Sequence, residues 1–496
     1  VSDAVLLAAI LATPPVGALA VSLLGRRPDL REAATLAASA GTFGLVLVLL
    51  SRFVSGGAGS AGGAPGLELL PVMPGLVLAF EVEPLGMLFA MVASGLWLVT
   101  SVYAIGYMRG HHESHQTRFF ACFALSIGAA LGIALSRNLF TLFVFYEMLT
   151  LSTYPLVTHK GTEKAMRAGR VYLGVLLSTS VGLFLLALIW TWSLAGTLEF
   201  ARGGLLAGHA DEREVAILLL LFAFGTGKAA LMPFHRWLPA AMVAPAPVSA
   251  LLHAVAVVKA GVFTVLKIVV YVFGLELLGG NAGRLWLSWI AAATLLIASL
   301  VAMTKDNLKA RLAYSTVSQL SYIVLGAALA TPAAVLGAGM HIAMHALGKI
   351  TLFFCAGAID VAAHKTEISD MRGIGRAMPV TLFAFAVGSL SIIGLPPLGG
   401  SWSKWLLMLG AAEAGQRVMI AVLMVSSLLN VAYLMPIVVR GFFPGGNAGA
   451  TVGGGIREAP ALCVVPLCLT AAGCVIVFFG ADAIFALLRP LVEVGP

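Results

Sequence analysis

Charge is what this sequence has least of. Only 10% of its 496 residues are Asp, Glu, Lys or Arg, against about 25% in ordinary globular chains. A folded surface in water needs more than that, so soluble domains are excluded. Cysteine is scarce too. Cys122, Cys355, Cys463, Cys468 and Cys474 all lie in apolar stretches without metal-ligand spacing, and they read as small packing residues. There is no Cys-x-x-Cys, flavin or nucleotide motif and no P-loop. Neither a redox cofactor, a metal nor an ATP drive is therefore implied. The first apolar run lacks a basic segment in front of it and is followed by Arg26 and Arg27. It reads as a retained span rather than a signal peptide.

What fills the chain instead is apolar residues, 60% of the total, with a mean hydropathy of +1.00. Stretches of eighteen or more mostly apolar residues recur from end to end, each long enough to cross a bilayer. Fourteen are expected, near 3–24, 33–54, 84–107, 117–135, 138–158, 169–194, 214–234, 247–274, 284–303, 308–330, 333–360, 378–411, 416–440 and 460–488. The fold class is an all-α polytopic membrane protein. The Gly-rich connections 55–66 and 445–455 read as flexible loops. With the N-terminus outside, the odd-numbered connections hold eighteen of the thirty Lys and Arg residues, the even-numbered side seven, and the spans five. By the positive-inside rule both termini are extracytoplasmic. The net charge of +8 belongs mostly to cytoplasmic loops, so nucleic acid is not an expected partner.

The five buried cations are Lys228, Lys259, Lys267, Lys349 and Lys404. A charge at the bilayer centre costs about 2.5–3.5 kcal/mol on insertion scales, so such residues mark partners or a function. Glu147 is an acidic candidate partner, and His253, His341 and His345 share the spans. Lysine, glutamate and histidine in series have the composition of a proton path. Lys267 could instead snorkel to an interface. His253 and Lys259 are six residues apart, about 9 Å along a helix, a relay step with water between. His341, His345 and Lys349 recur every fourth residue and share one face. A zinc site there would need Glu where Ile342 stands. The His111, His112 and His115 cluster reads as a solvated loop.

Two spans carry pairs of prolines where a continuous helix would be expected: the seventh at Pro233 and Pro239, the twelfth at Pro396 and Pro397. Proline removes a backbone donor and breaks a helix. Breaks at matching places in two halves point to an inverted-repeat transporter. The expected repeats are spans 4–8 and 9–13, each with a lysine beside its break, Lys228 and Lys404. The expected organisation is 1–110 for the first three spans, 111–280 and 281–441 for the repeats, and 442–496 for the last span.

Five stretches carry a family resemblance: Phe143-Val-Phe-Tyr-Glu147, Gly227-Lys228 through Pro239, Ala244 through Gly261, Lys305 through Gln319, and His341-x-x-x-His345-x-x-x-Lys349. They resemble the antiporter-like proton-translocating membrane subunits shared by respiratory complex I, membrane-bound hydrogenases and Mrp multisubunit Na+/H+ antiporters. The run from Trp237 to Gly274 looks most like the D-type Mrp subunit. Lys404 stands where the middle large subunit of complex I has glutamate, and the chain stops after its fourteenth span, without the extensions of the longer relatives. Gly400-Ser-Trp-Ser departs from the family's aromatic-Gly pattern there.

The resemblance implies that Glu147 and Lys228 lie together as a pair whose opening and closing switches the lysine's proton. It also implies a path through His253, Lys259, His341, His345, Lys349 and Lys404. The expected function is proton translocation in a multisubunit monovalent cation/proton antiporter of a bacterial inner membrane, with other membrane subunits, protons, monovalent cations and lipid as partners. The chain would be a transporter subunit rather than an enzyme. The alternatives are a proton-pumping subunit of a complex I-like oxidoreductase or hydrogenase, or of an inorganic-carbon uptake complex.

Overall fold

The computed structural model describes residues 2–56, 66–443 and 455–493. Most of both Gly-rich connections lies outside the described residues. Among the described residues, twelve helices are long and apolar enough to cross a membrane. They are α1 (Asp3–Leu23), α2 (Pro28–Ser55), α3 (Pro84–Gly110), α4 (Gln116–Ala134), α5 (Leu139–Val157) and α6 (Glu163–Ala195), then α8 (Ala246–Phe273), α9 (Gly283–Met303), α10 (Leu308–Leu329), α11 (Pro332–Ala363), α13 (Arg417–Phe442) and α14 (Ala461–Phe479). The two remaining expected spans are the seventh and the twelfth, and both are broken. Span α7 is Glu212–Gly225, and its second part is the short turn of helix Trp237–Ala240. Span α12 is Pro379–Ile393 followed by Gly400–Glu413.

Local chemistry sets the ends. The Asp211 side chain accepts from the Glu214 backbone N–H and Glu214 reaches back to the Asp211 N–H, a capping box that starts α7. Asn138 caps α5, Asn307 caps α10 and Thr331 caps α11 in the same sense. Both breaks follow glycine and proline. α7 stops at Gly225, and the chain turns through Gly227–Ala229 into Ala230 at φ 55. α12 stops at Gly394, whose φ of 92 favours glycine. Pro233 and Pro397 each follow a cis peptide bond.

The connections test the span count. Among the described residues, odd-numbered connections touch odd ones. Arg31 bonds Gln116, Arg118 donates to the His159 carbonyl, Lys309 to the Ala244 carbonyl, and Leu308 N–H to the Thr366 carbonyl. Even-numbered connections touch even ones. Leu139 N–H donates to Leu198, Leu206 N–H to Val272, and Arg284 to the Leu329 carbonyl. Fourteen crossings with two broken spans satisfy this alternation.

One element was not foreseen. Residues 66–81 form an antiparallel hairpin, β1 (Gly66–Met73) with β2 (Leu76–Glu81), turning at Gly75 with φ 80. Its strands are short, nearly continuous apolar runs without alternation, so no two-residue period marked them. β2 continues into a bridge from Phe80 to Ser136 in the α4–α5 connection. At the centre of the bundle α8 is wholly buried and α10 and α11 are almost so. Of these, α8 and α11 carry most of the expected polar residues.

Candidate functional site

The first break builds a lysine cradle. Gly261 lets two backbones meet: a Cβ there would sit 2.3 Å from the Lys228 carbonyl carbon, and one on Gly227 would meet the Thr179 side chain. The Trp237 indole N–H donates to the Gly227 carbonyl at 2.9 Å and pins the turn. Lys228 is fully buried. Its ammonium donates to the Tyr146 carbonyl at 2.9 Å and to Thr150 Oγ1 at 2.5 Å, and lies 3.2 Å from the centre of the Tyr146 ring. These are carbonyl, hydroxyl and ring-face acceptors that tolerate a cation in low dielectric.

Glu147 is next to Tyr146 on α5, yet it does not pair with Lys228. Both carboxylate oxygens are buried and bond no protein group. The expected pair is therefore seen apart, with Thr150 and the Tyr146 carbonyl holding the lysine in place of the acid.

The second expected step, from His253 to Lys259, has no direct protein bond. His253 lies in a π-helical stretch, Leu251–Val255, that ends one turn before Lys259 on the same span. Its ring packs 4.9 Å from Phe353, and neither ring nitrogen bonds a protein group. Lys259 turns instead to α11, where its ammonium lies 2.5 Å from His345 Nδ1. The His345 and His341 rings stack at 5.6 Å, as the four-residue spacing predicts. His341 continues through Nδ1 to Ser403 Oγ at 2.8 Å and through Nε2 to Gln319 Oε1 at 3.2 Å. Ser403 belongs to the Gly-Ser-Trp-Ser stretch and immediately precedes Lys404.

Lys404 is buried in the second half of α12. It donates to the Ile393 carbonyl at 2.9 Å and to Ser427 Oγ at 3.2 Å, and stands 4.7 Å from the Tyr322 ring centre. Lys349 leaves the histidine line. It donates to Ser315 Oγ at 2.6 Å, Ser315 meets the Tyr433 hydroxyl at 2.7 Å, and that hydroxyl donates to Asn430 Oδ1 at 2.6 Å. The structure thus joins Lys259, His345, His341, Ser403 and Lys404 as neighbours, with Lys349 on a side branch. Lys228, Glu147 and His253 stand nearby without direct bonds to that line.

Sequence reasoning missed Tyr146, Thr150, Ser315, Gln319, Ser403, Asn430 and Tyr433. Polar residues of ordinary size carry no signal in an apolar run unless the facing helix is known. It also missed Glu83. Lys267 does not snorkel: it is fully buried and pairs with Glu83 Oε1 at 3.2 Å. Outside the spans, burial and the neighbouring Arg118 push the His159 imidazole down to about 4.

The sequence matches the family model described as NADH:quinone oxidoreductase/Mrp antiporter, TM, over residues 136–430. The chain belongs to that family. It also matches the complex I chain 5 N-terminus over residues 75–120. It is 36% identical over 409 residues to NADH-quinone oxidoreductase subunit N of Desulforudis audaxviator, covering 80% of each chain. It is 33% identical over 498 residues to subunit L of Mycobacterium tuberculosis, covering 94% of this chain and 73% of that one. A probable K(+)/H(+) antiporter subunit of Rhizobium meliloti is 33% identical over 345 residues, 68% of this chain and 33% of its own. The fold superposes on a chain of the Mrp complex from Dietzia sp. DQ12-45-1b with TM-score 0.86, 21% identity and 99% and 97% coverage. The chain is an antiporter-like, proton-translocating membrane subunit of the class common to Mrp and complex I-like assemblies.

Proposed function

We propose that this subunit moves protons along its Lys/His axis within an Mrp-type monovalent cation/proton antiporter, in the position of the D-type Mrp subunit. The observation that carries the path is the 2.5 Å contact between Lys259 on α8 and His345 on α11. It joins the α4–α8 half to the α9–α13 half across the most buried helices. A lysine amine and an imidazole at hydrogen-bond distance exchange a proton without moving either helix. Around them, His253, His345 Nε2 and Gln319 Nε2 present buried polar atoms without protein partners, the property of groups that bond water. Protons pass between Glu147, Lys228 and Lys259 in the first half and reach Lys404 through His345, His341 and Ser403 in the second. His253 extends the first half toward α11, and Lys349 serves as a reservoir on the Ser315–Tyr433 branch. The halves act as inverted repeats over 111–280 and 281–441.

Lys404 and the Trp237–Gly274 run support the antiporter role over the redox-linked one. Both named relatives of greatest coverage are NADH-quinone oxidoreductase subunits, which supports the rival. Subunit identification of the purified complex separates them: small membrane subunits of an antiporter favour the first, iron–sulfur and flavin subunits the second. The odd-numbered connections face the cytoplasm of a bacterial cell. Single cysteines at Thr162 and at Ala207, probed with an impermeant thiol reagent on intact cells, test that orientation. Only the second is expected to react, and labelling of Thr162 from outside would overturn it.

A further inference from the structure

The Glu83–Lys267 pair lies off the Lys/His axis, and its surroundings are more than an ion pair needs. Glu83 caps α3: Oε1 accepts the Gly86 N–H at 2.9 Å and Oε2 the Leu85 N–H at 3.1 Å. Oε2 also accepts the Tyr271 hydroxyl at 2.7 Å. Counting Lys267, four donors converge on this one side chain. The Lys267 ammonium is wrapped by acceptors: Glu83 Oε1 at 3.2 Å, the Ser136 carbonyl at 2.8 Å, and the ring faces of Phe200 at 4.7 Å and Phe263 at 5.4 Å. Thr264, three residues earlier on α8, has a buried hydroxyl with no protein partner. A carboxylate, a carbonyl and aromatic faces, with a spare hydroxyl one helical turn away, are acceptors suited to a monovalent cation.

A cavity lies beside this cluster. Tyr271 and Pro84, the residue after Glu83, line a cavity of about 320 Å³ at the even-loop end of the bundle. Glu276 and Glu493 line it as well, with Arg202. In the other direction Lys267 is eight residues from Lys259 on the same helix, about 12 Å along the axis. The lysine therefore stands between an acid-lined cavity and the proton path.

We propose that Glu83, the Ser136 carbonyl and their neighbours form a binding site for a monovalent alkali cation, and that Lys267 is its tethered competitor. The inference rests on the cation/proton exchange proposed above. A largely buried carboxylate keeps one cation beside it, because an unpaired charge there is costly. When Na+ or K+ arrives from the cavity, the Lys267 ammonium gives its proton to water leading toward Lys259 and withdraws as a neutral amine. When a proton returns, the ammonium forms again and displaces the metal cation. One charge enters as one leaves, so the site's net charge is constant and the exchange is one for one.

Melting of the purified, assembled complex in NaCl, KCl or choline chloride tests this without any transport. Lys267→Met removes the competitor, so Na+ or K+ at a hundred millimolar or so should raise its melting temperature by about 2 °C or more over choline, by mass action on the folded state. Glu83→Gln in the same background should abolish the shift, and the native complex should show a smaller one. Lys267→Gln, a polar neutral variant, serves if the methionine variant fails to assemble. No alkali-cation shift in either neutral variant, or an equal shift with and without Glu83, overturns the site. Glu147 and Lys228 take no part in this readout, so its failure is distinct from a failure of the proton path.

Discussion

The two five-helix halves hold their lysines in the same way but control them differently. In each, a helix stops at a glycine, prolines follow, and a buried ammonium faces a tyrosine ring: Lys228 on Tyr146 and Lys404 on Tyr322. In each, the ammonium also takes a backbone carbonyl and a hydroxyl. The residue after Tyr146 is Glu147, whereas the residue after Tyr322 is Ile323. The first lysine has a carboxylate that can approach or withdraw. The second has only neutral acceptors. A charge held by neutral groups alone is released most readily once a proton acceptor reaches it. The first half is therefore suited to switching and the second to relay.

The largest expected effects break the first half. Glu147→Ala and Lys228→Ala should each abolish cation-dependent proton transport in vesicles, about a hundredfold or more, with assembly intact. The double variant should be no worse than either, since the two act as a unit. Near-normal transport in either variant at native protein levels would remove the switch.

The second half is sharpened by Lys404→Arg. If Lys404 titrates, arginine should fail nearly as badly as alanine, because guanidinium keeps its proton. ΔpH-linked antiport measured across pH decides. A fully active arginine variant would leave Lys404 an electrostatic role only.

Smaller effects are expected from the glycines that bring backbones together. Gly261→Ala places a methyl against the Lys228 backbone, and Gly400→Ala places one 2.0 Å from the Ser391 carbonyl oxygen. Each should cost about 1–3 kcal/mol of stability. The first should also slow transport by displacing Lys228; thermal melting and antiport assays read the two effects separately. The smallest effect concerns His159 in the α5–α6 connection. Its imidazole is held to about 4 when folded and titrates near 6.5 when unfolded. The unfolded chain binds more protons between those values, so stability should fall as pH drops from about 6.5 toward 4. Melting of His159→Asn should lose part of that slope, and an unchanged slope would contradict this.

Most of the fold was legible because apolar length and basic loops constrain a membrane chain strongly. The fourteen crossings and both breaks follow from runs and prolines visible in one dimension. The lysines and histidines were legible too, since charge in lipid demands a reason. Their partners were not. The Lys259 contact with His345 was not visible in the spacing, because it joins two different helices. Ser403 looked like a departure from pattern, yet its hydroxyl is the contact between His341 and the Lys404 helix. Glu83 escaped notice because it precedes α3 and reaches Lys267 only across the bundle.

The central claim is that protons cross between the halves at Lys259 and His345. The most direct measurement is proton uptake by oriented vesicles carrying Lys259→Met or His345→Phe, beside the native complex, under an imposed cation gradient. The account predicts that each variant assembles normally and loses nearly all coupled proton movement, by about a hundredfold. Uptake at the native rate in either variant would contradict it.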